Sequence, residues 1–241
     1  VPTCLLVRHG HSSANGQGIL AGRLPGIHLT ETGQRQAAQL ATSLSELPVA
    51  RIVTSPLERC VETAGPLAAA AGLDLSLEDD LLECAYGAWT ARPLADLAKD
   101  PLWATVQDDP LTARFPDSET YAAESLAEMS ARVVAAVRRI DAEVAALHGD
   151  GALWVAVTHG DLVKAVLADA TGSGLAHFQS YTADPGSVSA VRYGGRHTFL
   201  LAANLSAPDL GRFRPAEGES PQDAVVGGGS GTVASSDAGR G

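Results

Sequence analysis

Short apolar runs alternate along this chain with longer stretches whose apolar residues recur every three or four positions. The run Cys4–Val7 reads as a strand that stops at Arg8-His9-Gly10. Thr30 can cap a helix in which Ala37, Leu40, Ala41, Leu44 and Leu47 share one face. Arg51–Thr54 reads as a second strand. Ser55-Pro56-Leu57-Glu58 follows it with an N-cap serine, a proline at the first helical position and a glutamate at the third, which predicts a helix start. Pro66 should kink that helix or end it early, because it cannot bond the carbonyl four residues back. A long amphipathic helix is predicted from about Ala122 to Leu147, with Met129, Val133, Val137, Ile140, Val144 and Leu147 inward and Gly149 past its end. Ala152–Thr158 is a near-continuous apolar run of buried, parallel-strand type, and it passes through His159-Gly160 into a helix over Asp161–Ala170. Ser187–Tyr193 and His197–Ala202 alternate around Gly194-Gly195 as a hairpin does. Strand alternating with helix predicts an α/β domain: three layers, doubly wound, with a mostly parallel sheet, right-handed crossovers and a C-terminal hairpin strand.

From Ser206 to Gly241 the pattern is lost. Eight Gly and three Pro fall in those 36 residues, and too few large apolar side chains remain to offset the entropy of ordering. The expected organisation is one domain over 1–205 and a disordered Gly/Ser/Pro-rich tail over 206–241. The whole chain of 241 residues carries a formal charge of −11. That balance argues against nucleic acid as a partner, which needs a basic surface, but a few arginines converging on one pocket still suit a small anion. The apolar runs are too short to cross a bilayer, and no basic start followed by an apolar stretch marks a signal peptide. Cys4, Cys60 and Cys84 are odd in number without CxxC spacing, which suggests free thiols and a cytoplasmic location. A homodimer is the candidate assembly.

In open α/β sheets ligands bind beyond the carboxyl ends of the strands. Arg8-His9-Gly10 and His159-Gly160 sit at two such ends, and Arg59 lies one turn into the helix after a third. Two histidines and two arginines at one edge suit a dianion, since each guanidinium offers a planar fork to phosphate oxygens. Glycine after each histidine lets the backbone approach a ligand closely. His9-Gly10-His11 also has the form of an HxH metal pair, but the remaining ligands of such a site are missing from the sequence, so no metal or cofactor is expected. Arg59 has a competing reading as a surface arginine paired with Glu58 or Glu62. Ser12 and Asn15 have one as residues that fix a turn.

The stretch Leu6-Val7-Arg8-His9-Gly10-His11-Ser12-Ser13-Ala14-Asn15 resembles the signature of the histidine phosphatase superfamily, the phosphoglycerate mutase-like proteins. So do Ser55–Cys60 with Glu62-Thr63-Ala64, Leu82-Glu83 before Tyr86-Gly87-Ala88-Trp89, and Thr158-His159-Gly160-Asp161. Leu20-Ala21-Gly22-Arg23 and the Leu97–Trp103 region look most like its phosphomutase subfamily. The resemblance covers about residues 3 to 204 and implies a phosphoglycerate mutase-like fold. It implies that His9 is the nucleophile, that Arg8, Arg59 and His159 clamp the phosphoryl oxygens with Asn15 assisting, and that Glu83 is the acid and base. Ser12, Arg23 and Gly160 join them as phosphate- or substrate-binding candidates. A histidine that attacks phosphorus must be neutral, which neighbouring arginines favour, whereas a carboxyl group facing a phosphate dianion tends to hold its proton.

The expected activity is hydrolysis of a small phosphorylated metabolite through a phosphohistidine. The rival is phosphomutase transfer, and a third reading is a non-catalytic phospho-ligand-binding domain. Cofactor-dependent mutases place an arginine directly after the acid/base glutamate and more cations in a capping insertion. Here Cys84 follows Glu83, and the stretch between Trp89 and Thr120 is poor in cations. The family's Pro-x-Gly-Glu-Ser segment matches either Pro116–Thr120, with Glu119, or Ala123-Glu124-Ser125. His11 stands where Glu, Gln or Arg is more common. His28, His148, His177 and His197 read as structural or surface residues, and Trp89, Trp103 and Trp154 as core.

Overall fold

The structure is a computed structural model that describes residues 1–206 and Phe213. Strands β1 (Thr3–Arg8), β2 (Val49–Thr54), β3 (Leu75–Leu77), β4 (Leu153–Thr158), β5 (Val188–Tyr193) and β6 (Thr198–Leu205) form one sheet in the order β3-β2-β4-β1-β5-β6. Pairing is parallel from β3 through β1 and antiparallel for β1 with β5 and β5 with β6, the last pair being the expected hairpin. The helices are α1 (Ser13–Gln17), α2 (Glu31–Leu44), α3 (Glu58–Ala71), α4 (Leu94–Leu97), α5 (Pro101–Asp108), α6 (Leu126–His148) and α7 (Gly160–Ala170).

Alternation along the strands assigns the two faces. Cys4 and Leu6 of β1 pack with Met129, Val133, Leu162 and Val166 from α6 and α7. Leu5 and Val7 pack with Leu40, Leu44, Cys60 and Leu67 from α2 and α3. Every residue of β4 is buried, as its unbroken apolar run implies for a strand covered on both sides. Each such Leu or Val stabilises the domain by about 1.5–3 kcal/mol. The carboxyl ends of β1 and β4 are therefore the ends of strands packed on both faces.

Several elements depart from expectation. Ser55 does not cap α3; the helix begins at Glu58 with Leu57 as its N-cap, because the Ser55 side chain is turned to a histidine described below. Pro66 does not end α3, which runs on to Ala71 and stops at Gly72 with φ 67°. Pro66 itself is exposed, on the outer side of the helix. Helix α6 starts at Leu126 rather than near Ala122, because Ser125 and Glu128 form a capping box there. The residues before it are drawn into extended pairing, with Ala123 bridging Tyr86 and the Glu124 amide donating to the Ala85 carbonyl. Leu147 faces solvent at 74% exposure. Among the described residues no helix is long and apolar enough to cross a membrane. The expectation of a disordered tail falls on residues of which all but Ser206 and Phe213 lie outside those described, and Phe213 is buried in the second core cluster.

Candidate active site

A cleft of about 460 Å³ opens beyond the carboxyl ends of β1 and β4. His9, Arg8, Arg59, Gly160 and Glu83 line it, and Ser12 and Asn15 stand at its edge. His9 follows β1 directly and is 4% exposed. Its Nδ1 lies 2.7 Å from the Gly10 carbonyl, an acceptor that places the ring proton on Nδ1 and leaves the Nε2 lone pair to accept from Arg59 Nε. Burial, then the Arg59 and Arg8 charges, hold this imidazole well below the usual histidine range, so it is neutral.

Arg59 does not pair with Glu58 or Glu62. It points inward at 2% exposure, with Nε 3.3 Å from His9 Nε2 and Nη2 donating to the Gly22 carbonyl at 2.8 Å. Glu62 instead meets His28, and Glu58 accepts from the Gly26 amide. Arg8 Nη1 donates to the Ala183 carbonyl at 2.6 Å, and the Gly186 amide donates to the carbonyls of Arg8 and His9. Arg8 Nε and Arg59 Nη1 are buried donors that bond to no protein acceptor among the described residues. Buried donors of that kind are costly unless something accepts from them.

His159, at the N-terminus of α7, is wholly buried, and its ring centroid lies 5.3 Å from that of His9. Its Nε2 meets Ser55 Oγ at 2.9 Å, while Nδ1 lies 3.1 Å from Arg59 Nη2 and 3.8 Å from Glu83 Oε2. Burial, then Arg59 and His9, push its pKa down as well. Gly160 opens α7, whose free backbone N–H groups favour an anion. A Cβ at Gly160 would lie 3.3 Å from Arg8 Cζ, so the missing side chain makes room for the guanidinium. Gly10 has a different role from the one expected. Its Cα faces the start of α2, where a Cβ would come within 2.7 Å of the Gly33 carbonyl oxygen.

Glu83 enters from the segment after β3. Its carboxyl is pushed up to about 7, mainly by burial and then by the nearby Asp161 carboxylate, against the opposing pull of Arg59. Cys60, whose Sγ is 3.4 Å from His159 Nε2, is pushed up to about 12 by burial and stays a thiol.

Ser12 and Asn15 lock each other in the capping box of α1, with Asn15 Oδ1 accepting from Ser12 N and Oγ at 3.0 and 2.9 Å. The turn reading therefore holds, and both residues also line the cleft. Arg23 does not line the cleft: its Nε donates to the Glu83 carbonyl at 2.7 Å and its Nη2 to Glu124 at 2.9 Å. Glu119 is exposed, and it is Glu124 that contacts the segment carrying Glu83, accepting from the Ala85 amide. His11 Nδ1 bonds Thr30 Oγ1 at 2.9 Å, and its backbone amide bonds Gln36. The sequence reading missed Ser55, Tyr86, Lys164 and Asp161 as site residues. Asp161 accepts from the Tyr86 hydroxyl at 2.7 Å and lies 3.6 Å from Lys164 Nζ. Lys164 is one of only two lysines, the signal that sequence reasoning passed over.

The family model of the histidine phosphatase superfamily (branch 1) matches residues 4–206. Phosphoserine phosphatase 1 of Hydrogenobacter thermophilus is 30% identical over 210 residues, covering 87% of this chain and 94% of that protein. An uncharacterized protein of Mycobacterium tuberculosis is 46% identical over 80 residues, 33% of this chain, and the match spans 39% of that relative's length. Among solved structures, a mycobacterial glucosyl-3-phosphoglycerate phosphatase in complex with VO3 superposes with a TM-score of 0.73 at 25% identity, covering 86% of this chain and 100% of that one.

Proposed function

The chain belongs to the histidine phosphatase superfamily (branch 1), and on that premise we propose that it hydrolyses a small phosphorylated metabolite through a phosphohistidine on His9. The observation that carries this reading is the neutral His9 imidazole on the cleft wall, its Nε2 meeting Arg59 Nε, beside two buried guanidinium donors that lack protein acceptors among the described residues.

The phosphoryl group docks with its equatorial oxygens on Arg8, Arg59 and the first amides of α7. Arg59 Nη2, a donor, faces His159 Nδ1, so the neutral ring accepts there and carries its proton on Nε2, toward Ser55 Oγ; His159 thus acts by holding Arg59 in place. Asn15, held by Ser12, stands beside them. His9 Nε2 attacks phosphorus and the bond to the leaving oxygen breaks. Glu83, still protonated near neutrality, gives that oxygen its proton. The Gly10 carbonyl bound to Nδ1–H supports the charge that develops on the ring. In the second half Glu83, now a carboxylate, takes a proton from water as the water oxygen attacks phosphorus. The P–N bond breaks, and His9 returns to its neutral form. The Arg and amide donors stabilise the charge on the transferring group.

Hydrolysis is favoured over mutase transfer by what lines the rest of the cleft. Among its described lining residues Lys164 is the one cation besides Arg8 and Arg59, and it is already beside Asp161. A second phosphate or carboxylate therefore finds little to hold it. Ile19, Leu20, Leu94 and Tyr181 add apolar surface. Three buried free cysteines support a reducing, cytoplasmic setting.

The test is a panel of metabolite phosphates assayed by released phosphate, with wild type and His9→Ala side by side and an acid quench for phosphohistidine. We expect phosphate release and an acid-labile phosphoenzyme in wild type only. A His9→Ala protein with parental turnover rejects the reading, and isomerised ester without free phosphate in the presence of a bisphosphate primer transfers it to a mutase.

A further inference from the structure

Glu83 has no regular element beneath it. The segment between β3 and α4 contains only two short 3-10 turns, Asp79–Leu81 and Gly87–Trp89. Its backbone is nonetheless pinned on both sides of Glu83, and the pins meet at one atom. Glu124 Oε1 accepts from Arg23 Nη2 at 2.9 Å, from Arg132 Nη2 at 2.8 Å and from the Ala85 amide at 2.9 Å. One further nitrogen of each arginine donates to carbonyls of the same segment. Arg23 Nε donates to Glu83 O at 2.7 Å, and Arg132 Nη1 donates to Asp80 O and Leu82 O at 2.7 and 3.0 Å. One carboxylate thus orients two planar forks, and all three side chains grip residues 80–85. Glu124 and Arg132 are mostly buried, at 14% and 17% side-chain exposure, where charge-assisted bonds are strong and an unpaired charge is costly.

We propose that Glu124, acting through Arg23 and Arg132, is a positioning residue that sets where the Glu83 carboxyl stands in the cleft. Glu124 lies outside the cleft lining, so it touches no substrate. Its partners on Glu83 and Ala85 bracket the acid by a residue or two, and a carboxyl displaced by an ångström transfers protons poorly. The inference rests on the hydrolase reading for its kinetic consequence, but the geometric consequence stands apart from it.

The experiment is therefore double. In Glu124→Gln, kcat/KM is measured for an alkyl phosphate such as glycerol phosphate, whose leaving oxygen needs a proton, and for p-nitrophenyl phosphate, whose leaving group does not. We expect a loss of about tenfold or more for the alkyl ester, a fraction of what full removal of a general acid costs, and less than threefold for the aryl ester. Equal losses for both, or none, overturn the proposal, since a merely structural tie damages both reactions alike. Hydrogen exchange on the same protein should show faster amide exchange confined to 80–85, and parental exchange there also overturns it. If Glu124→Gln fails to fold, Arg23→Met, which cuts the tie to the Glu83 carbonyl and leaves Arg132 on Glu124, carries the same two measurements. Should wild type hydrolyse neither ester, the hydrolase reading falls, and exchange at 80–85 still decides the positioning claim.

Discussion

The two ends of the cleft are built by different means. At the phosphoryl end, His9 ends one buried strand, His159 ends another, and Arg59 stands in the first turn of a helix packed on the sheet. Their spacing follows from strand register, with Arg8 directly beside Thr158 across the β1–β4 pair. At the acid end Glu83 hangs in an irregular segment whose shape is imposed by side chains arriving from residues 23, 124 and 132. Hydrophobic burial places the groups proposed to bind, whereas polar ties place the group proposed to move a proton. The first kind of placement is stiff and tolerant of surface change. The second depends on a handful of bonds, each worth about 1.5–3 kcal/mol when one partner is charged.

The sharpest break is His9→Ala, which should lower kcat by roughly four orders of magnitude or more and abolish the acid-labile phosphoenzyme in a rapid-quench experiment. Next, Glu83→Gln should lower kcat/KM for alkyl phosphates by about 10²–10⁴ while sparing that for p-nitrophenyl phosphate, and phosphoenzyme should accumulate on the aryl ester because its hydrolysis has lost the base. Identical losses on both esters would remove Glu83 from proton transfer. Smaller again is the effect of Asp161→Asn. Glu83 must be protonated to donate, so kcat/KM for an alkyl ester should fall as pH rises through about 7. The Asp161 charge raises that value, and its removal should shift the descending limb to lower pH, as a pH–rate profile will show. The smallest is Gly160→Ala at the stiff end. The Arg8 guanidinium has to yield a few tenths of an ångström to the new methyl, so we expect KM to rise a few-fold with kcat and melting temperature little changed.

The same division governs what could be read from the chain beforehand. Strands β1 and β4, helices α2 and α7 and the terminal hairpin follow from period and run length, and with them came Arg8, His9, Arg59 and His159. The loop setting of Arg23 suits a substrate grip as well as it suits the ties to the Glu83 carbonyl and Glu124 that the structure shows, because no local pattern distinguishes them. Glu119 and Glu124 were equally eligible, since no periodicity runs through that segment; a capping box at Ser125 and Glu128, visible in the letters, was the missed clue to where α6 begins. Ser55 misled for a related reason. Serine before proline and glutamate is a good helix cap, but the hydroxyl meets His159, which is 104 residues away. Contacts of that range obey no local rule.

The bond from Arg8 to the Ala183 carbonyl, with the Gly186 amide on Arg8 and His9, splices the loop before β5 into the anion grip. That loop also supplies Tyr181, Thr182 and Asp184 to the cleft wall. Redesigning selectivity by exchanging residues 181–186 would therefore detune phosphate capture along with it. The segment around Leu94 also lines the cleft and, among the described residues, makes no hydrogen bond to Arg8 or His9, so it is the safer place to graft a new preference.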